Sequence, residues 1–487
     1  MIQTSSDGLT LEIALRASLT CWPWKFVGHM EHSHLQLETA LESLRDLPVF
    51  VAYNANVDTI VRVDADLEAY LDRPPEPGEQ SPPNWLSSKR ELATAITHTM
   101  ATRGGDEIAM TAELAATLES ELEADVQQMG GQAGIMTNLL SSLGAAPIIY
   151  TYLLSERQQS MFDHPEAVRY PTVEDGEVQF VPLPDVVNTD RTKINWVFEF
   201  SADDEFFGVR AVEDSRFIAA SRPPEFDLIT GELDEVVDQI GAVVDGALLS
   251  GYHNLTPENV ADGYEETQRH ARDVIRRLRG GGDVGVHVEY AVTHDAELRE
   301  SIYEWILPEA NVVGMDTNEL QLLTEDAELG DAEDAPSEET PFEISEILTH
   351  YQLLSELQAK LGVDCLRLHA MEYHLSVMDD YHPPEAVRRG LEFAAINAAT
   401  KADRGQITSP EDLETGLSYE PSVEGRKAIE LLADHVDATT ENGALCTPTV
   451  VACPNRVVAD PGGTVGIGDI VSSSSFALEL AIANDRT

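Results

Sequence analysis

The chain predicts an α/β fold, with one large, central, mostly parallel sheet flanked by helices and a small inserted β-sheet. Two observations lead there. From Gly246 to His369 short apolar strands alternate with helix-length periodic segments, and parallel strands joined by crossover helices are the economical topology for that alternation. Between about 166 and 222 the pattern changes to short alternating runs, such as Val178-Gln179-Phe180-Val181 and Ile194-Asn195-Trp196-Val197-Phe198-Glu199-Phe200. These read as antiparallel strands inserted in the α/β body.

Composition bounds the rest. A chain of 487 residues can bury a large core, and 43% hydrophobic residues argue against a disordered polyanion. Lys and Arg total 31 against 87 Asp and Glu, for a net charge of −56. Lysine is confined to positions 25, 89, 193, 360, 401 and 427. Such self-repulsion is screened by concentrated salt, so the expected setting is the cytoplasm of a high-salt cell. The charge excludes nucleic acid as a partner, because phosphate backbones need the opposite sign. Cys21, Cys365, Cys446 and Cys453 show no metal spacing and read as free buried thiols. No apolar run is long enough for a membrane span, and the N-terminus lacks a signal-peptide pattern. Such a surface is compatible with a monomer or weak oligomer.

Residues 1–45 read as an extension with a helix at Leu9–Leu19; His29, His32 and His34 in it read as solvated surface. The ordered body, 46–487, starts with the strand Pro48–Tyr53, which runs into Asn54-Ala55-Asn56-Val57-Asp58. Arg73–Pro83 is a proline-rich loop. An acidic amphipathic helix is expected over Asp106–Val126, ending at Met129-Gly130-Gly131-Gln132-Ala133-Gly134 before the helix Ile135–Leu143. Pro147–Tyr152 reads as a strand and Leu154–Phe162 as a helix. The small sheet, a natural lid, is expected mainly from about 59–75 and 166–222. Strands Gly246–Ser250, Val284–Val288, Asn311–Met315 and Cys365–His369 follow, alternating with helices Pro257–Leu278, Asp295–Ile306 and Ile344–Leu361. Acidic residues 325–340 read as a surface loop.

Near the C-terminus an apolar run, Thr447–Val458, leads to Gly463-Thr464-Val465-Gly466-Ile467-Gly468-Asp469, and a helix leaves through Phe476, Leu478, Leu480 and Ile482. Glycines at a strand-to-helix turn let backbone N–H groups converge on an anion at the helix N-terminus. A carboxylate there repels phosphate, but suits a base that takes the proton of a hydroxyl attacking phosphorus. A glycine turn with a helix cap is the bland alternative. His287 and Glu289 share one face of a strand, as a phosphate- or metal-water-orienting pair or a structural polar pair. Asp316 and Glu319, three apart at a helix start, suit hydrated Mg²⁺ or an ordinary N-cap with a first-turn acid. Asn56 and Asp58 sit where open α/β sheets bind ligands, though turn chemistry also explains them.

In chain order these pieces form one pattern. Asn54-Ala55-Asn56-Val57-Asp58, Gly130-Gly131-Gln132-Ala133-Gly134-Ile135-Met136, Ser250-Gly251-Tyr252, His287-x-Glu289, Gly314-Met315-Asp316-Thr317-Asn318-Glu319-Leu320, Arg367-Leu368-His369 and Thr464-Val465-Gly466-Ile467-Gly468-Asp469 span about 50–480. Together they resemble the ADP-dependent sugar kinases, the glucokinase and phosphofructokinase family of the ribokinase-like superfamily. The resemblance implies transfer of the β-phosphate of ADP to a sugar hydroxyl, with AMP released and Mg²⁺ required. Asp469 would be the base, with the N–H groups of Gly466, Ile467 and Gly468 as the anion hole. Asn56, Asp58, Gly131 and Gln132 would hold sugar hydroxyls. His287, Glu289, Asp316 and Glu319 would organise the metal, and Thr464, Val465 and His369 the nucleotide. Asp316 stands where the family usually has Asn, which adds charge against an incoming polyphosphate. Arg157, Arg191 and Lys193 lie where the resemblance places the distal end of the acceptor, which favours fructose 6-phosphate over glucose. The alternative is that these cations are salt-bridged at the surface and that Glu199 serves a neutral sugar. An ATP-using relative and a non-catalytic sugar-binding relative stay open.

Overall fold

Strand β1 (Pro48–Ala52) is apolar throughout because both of its faces are covered: Val49 and Val51 join one core, Phe50 and Ala52 the other. The computed structural model describes residues 36–102, 105–223, 225–229, 231–260, 262–293, 295–329, 342–459, 461–463 and 465–484. After β1 the chain crosses into a second sheet through β2 (Asn56–Arg62), β3 (Trp85–Leu86), β4 (Asp106–Met110) and β5 (Val126–Gly130). It returns through β6 (Ala146–Tyr150) and the hairpin β7 (Arg169–Glu174) and β8 (Glu177–Pro182). A second excursion makes β9 (Ile194–Phe200), the ribbon β10 (Glu205–Phe206) and β11 (Val209–Arg210), and β12 (Ser215–Ser221). The remaining strands are β13 (Gly246–Leu249), β14 (Gly285–Glu289), β15 (Val312–Met315), β16 (Cys365–His369), β17 (Tyr373–Met378), β18 (Thr440–Glu441), β19 (Ala444–Cys446) and β20 (Val450–Pro454).

The large sheet has 12 strands in the order β18-β19-β20-β17-β16-β15-β14-β13-β1-β6-β7-β8. Its centre, from β6 to β16, is parallel. The small sheet has six, in the order β3-β4-β12-β9-β2-β5. Helices α1 (Ala65–Tyr70), α2 (Lys89–Ala101) and α3 (Ala112–Glu121) pack on one face of the small sheet, against Val57, Trp196, Phe198 and Phe217. Period-2 alternation leaves Asn56, Asp58, Asn195, Glu199 and Arg216 on its other face. On the large sheet, α4 (Gln132–Ser142), α9 (Pro384–Arg404) and α11 (Ile467–Ala483) cover one side. α5 (Tyr264–Gly281), α6 (Ala296–Trp305), α7 (Thr317–Asp326), α8 (Glu346–Leu361) and α10 (Val423–His435) cover the other.

Several expectations need correcting. The helix expected over Asp106–Val126 is strand, helix and strand: Ile108 and Met110 alternate into the small core, and Thr111 caps α3 by accepting from the N–H of Leu114 at 3.3 Å. The helix expected over Leu154–Phe162 is one turn, Glu156–Gln159. Of the stretch assigned to the lid, β7 and β8 instead extend the large sheet, with β7 pairing parallel to β6, while β3, β4 and β5 belong to the small one. The extension does not stop at 45 as a separate piece: residues 36–44 form a helix whose Leu37, Ala40 and Leu44 enter the large core. The helix expected at Leu9–Leu19, the three early histidines and most of the acidic loop lie outside the described residues. Cys365 and Cys453 are buried free thiols, but Cys446 is exposed.

One ion pair crosses between a strand and a helix in full burial. Arg367 on β16 donates to Glu479 on α11 at 2.8 Å, both 0% exposed, and to the Ser475 hydroxyl at 2.8 Å. Tyr381 donates to the same carboxylate at 3.1 Å. Replacing Arg367 with Met leaves a buried carboxylate unpaired and is expected to cost about 3–5 kcal/mol. The double variant Arg367→Met, Glu479→Leu is expected to recover most of that, as read from denaturant midpoints in molar KCl. Equal destabilisation of the single and double variants would refute the pair's role.

Candidate active site

The C-terminal ends of the parallel strands and the first turns of α4 and α11 meet the polar face of the small sheet. Gly466, at φ +77°, is the N-cap of α11, so Ile467, Gly468 and Asp469 form its first turn and their N–H groups lack helical partners. A Cβ on Gly468 would lie 2.8 Å from the His369 ring, which explains glycine there. Asp469 is buried, and burial raises its pKa well above the carboxylate range. Glu289 and Asp58 push the same way, while His369 and Lys401 pull it down. Val465 is buried just ahead of this turn, and Thr464 lies outside the described residues.

Behind this turn, the two oxygens of Glu289 are held by different rings. His287 Nε2 lies 3.0 Å from Oε2, and His369 Nε2 lies 3.0 Å from Oε1. Burial alone would raise the Glu289 pKa, but the two histidine contacts bring it down to about 2. His369 is shifted up: burial opposes its charge, and Glu289, Asp316 and Asp469 outweigh it. His287 is shifted down by burial beneath Phe476, so its expected place as a metal ligand becomes that of a buried support for Glu289. Asp316 and Glu319 form a reciprocal capping box, with N–H to carboxylate distances of 2.7 and 2.8 Å. Desolvation raises the Glu319 pKa well above its usual range, and Asp316 and Glu289 add to that. Among the described residues no three His, Cys, Asp or Glu side chains converge to hold a metal directly, so the predicted quartet is not a closed ligand set.

On the small-sheet side, Asn56 donates to Asp58 at 2.6 Å, and the side-chain Oδ1 of Asn195 accepts from the N–H of Ser221 at 3.0 Å. Gly131, at φ +73°, packs so closely that a Cβ would come within 2.6 Å of the Asn54 carbonyl oxygen. Gln132 follows at the start of α4, its Oε1 buried without a hydrogen-bond partner and so open to a ligand. The three predicted cations are each already engaged. Arg157 meets Glu119 of α3 at 2.8 Å, and Arg191 meets Glu225. Lys193 is 1% exposed and donates to Asn54 at 2.6 Å and Asn254 at 2.8 Å, with its pKa driven well down by burial. It is a strut where the two sheets join. Sequence reasoning missed Arg222, paired with Glu107 at 2.5 Å, Arg216 opposite Glu199 across β12 and β9, and Lys401 on α9. The scarcity of lysine was the signal available for the last.

Burial, opposed by the Asn56 hydrogen bond, raises the Asp58 pKa to about 6. A carboxyl raised in the folded state costs nothing at low pH, and its penalty grows as pH rises through the folded pKa. Asp58→Asn is therefore expected to gain stability relative to the unmodified chain between about pH 4 and about pH 8, by up to about 3 kcal/mol. Denaturant midpoints at both pH values without sugar test this, and a pH-independent difference would sink it.

Comparison with known proteins follows the same outline. The ADP-specific phosphofructokinase/glucokinase conserved region matches residues 47–478. An ADP-specific phosphofructokinase of Pyrococcus furiosus is 30% identical over 462 residues, covering 91% of this chain and 99% of that one. The ADP-dependent glucose/glucosamine kinase of the same organism is 28% identical, covering 91% and 97%. Among solved structures, an ADP-dependent kinase in complex with fructose 6-phosphate and ADPβS is 30% identical, with a TM-score of 0.80 over 93% of this chain and 98% of that one. The ribokinase-like α/β class read from the sequence is the fold of these neighbours. The chain belongs to the ADP-specific phosphofructokinase/glucokinase family.

Proposed function

We propose that the chain is an AMP-forming kinase that transfers the β-phosphoryl group of ADP to a hexose phosphate, fructose 6-phosphate, giving fructose 1,6-bisphosphate. The observation that carries this is Asp469, buried in the first turn of α11 beside free helix N–H groups and within electrostatic reach of Asp58. Asn56, Asp58 and Gln132 seat the acceptor. Its reacting hydroxyl gives its proton to Asp469 while the hydroxyl oxygen bonds to the β-phosphorus. The bond from that phosphorus to the bridging oxygen breaks, and AMP leaves. The N–H groups of the α11 turn stabilise the charge on the migrating group. A base must be both ionised and basic: burial supplies basicity, and His369 with Lys401 favours the ionised form.

Glu289, Glu319 and Asp316 leave net negative charge at one edge of the cleft, which fits a cation that keeps most of its waters, as Mg²⁺ does. When bound, Mg²⁺ would neutralise polyphosphate charge. Arg157 and Arg191 are partly exposed and paired with single glutamates, contacts worth about 0–1 kcal/mol each. A phosphate dianion can take them over, and this supports a phosphorylated acceptor. The glucose alternative rests on the same pairs persisting, with Glu199 on the polar face left for a neutral sugar. Among the described residues no helix is long and apolar enough to cross a membrane. The acid-rich composition supports a cytoplasmic, monomeric or weakly associating enzyme in concentrated salt.

AMP release in molar KCl with ADP and Mg²⁺ is expected with fructose 6-phosphate at a kcat/KM at least about tenfold that for glucose. Turnover of glucose alone would overturn the acceptor, and no turnover of either by folded protein would favour a non-catalytic sugar binder. Asp469→Ala is expected to lose about 10²–10⁴-fold in kcat while calorimetry still detects sugar binding. Retained turnover would remove Asp469 as the base.

A further inference from the structure

Lysine is almost absent from this chain, yet two of its six are nearly inaccessible: Lys193 at 1% and Lys401 at 8% exposure. Lys193 is explained by its two asparagine partners. Among the described residues no ion pair explains Lys401. Its ammonium donates to the carbonyl of Gly405 at 2.5 Å, just past the end of α9, a contact that supplies no counter-charge.

Its place follows from helix periodicity. Ala394 and Ala398 of α9 pack on Val471 and Ile467 of α11. Lys401, three residues beyond Ala398, continues the same stripe to the level of the turn that begins α11. The adjacent residue touches the glycines that precede that turn. The carbonyl of Ala402 accepts from the N–H of Gly462 at 2.6 Å and of Gly463 at 3.3 Å, so the end of α9 seats the glycine run leading into Gly466. Burial lowers the Lys401 pKa; Asp58 on β2, Asp469 on α11 and Glu199 on β9 work against that, Arg216 on β12 adds to it, and Asp163 also feels the ammonium. Asp469 is faced in turn by Glu289 on β14, Glu319 on α7 and His369 on β16.

We propose that Lys401 is a further positioning residue for phosphoryl transfer, its ammonium held at the end of α9 beside the turn that leads into α11 and within electrostatic reach of the acceptor-side carboxylate Asp58 and the base Asp469. There it keeps both carboxylates ionised as a polyanion approaches, and so acts on the reacting hydroxyl through Asp469. This rests on the kinase reading above. Lys401→Gln keeps a donor for Gly405 but removes the charge, and Lys401→Arg keeps the charge.

In the AMP-release assay Lys401→Gln is expected to lose about tenfold or more in kcat, with the KM for fructose 6-phosphate moving less than about threefold. The acidic limb of its kcat–pH profile is expected to move up by about one unit, and Lys401→Arg to restore kcat to within about threefold. Equal losses in both variants with the acidic limb unmoved would reduce Lys401 to a clasp on Gly405, and wild-type kcat in Lys401→Gln would remove it from the reaction. Should the unmodified chain be inactive on both sugars, the kinase reading fails separately, and ligand-free stability judges the charge. The destabilisation by Lys401→Gln is then expected to be about tenfold larger in folding constant at about pH 8 than at about pH 5, because only ionised carboxylates need the cation. A pH-independent difference would overturn the proposal.

Discussion

The cleft depends on how α11 is fixed to the sheet, and that is a matter of one fully buried ion pair. Arg367 and His369 project from the same face of β16, two residues apart. The first grips Glu479 and Ser475 in the middle of α11, and the second fills the space beside Gly468 in its first turn. Helix and strand thus touch at two levels, so a shift along the helix axis would break charged hydrogen bonds between groups that are fully buried. The serine run from Ser472 to Ser475 suits this packing. Ser473, Ser474 and Ser475 return their hydroxyls to carbonyls of the preceding turn, so these buried hydroxyls are satisfied within the helix, and Ser475 also accepts from Arg367.

Within that frame the cleft is electrostatically unusual for a site that must receive a polyanion. Its inner residues are mainly carboxylates: Asp58, Glu289, Asp316, Glu319 and Asp469. The compensation is local and differs from one to the next. Glu289 is settled by two histidines, Asp316 and Glu319 by backbone N–H groups of their own helix turn, and Asp58 by Asn56. Asp469 has the least direct support, and it is the one that the proposed function makes the base.

Much of this was legible from residue order. The parallel core reads directly from alternating apolar strands and periodic helices, and the ordered glycine, His-x-Glu and glycine-aspartate elements lead to the strand ends where the cleft lies. The small sheet was less legible. Asp106-Glu107-Ile108-Ala109-Met110 merges with the helical Ala112–Glu121 into one acidic, periodic stretch, and only pairing with β12 makes its first half a strand. The hairpin of β7 and β8 has the same alternation as β9, so nothing local says which sheet it joins. Cations were the weakest inference, because chain position does not reveal partners: Arg157 and Arg191 found acids far away in sequence, and Lys193 was buried between asparagines. Lys401 lay in a helix with no motif.

The chain passes from the large sheet to the small one within three residues, 53–55, and Gly131, Lys193 and Arg222 mark the other passages beside it. Asn56 and Asp58 come immediately after the first passage, whereas Arg62, at the far end of β2, is roughly 20 Å along the strand. The small sheet is therefore joined to the large one at the edge that carries Asn56 and Asp58. A rigid rotation about that line would displace Asp58 by a small fraction of what it does to the distal edge, so the spacing between Asp58 and the large sheet is the one such a rotation would change least.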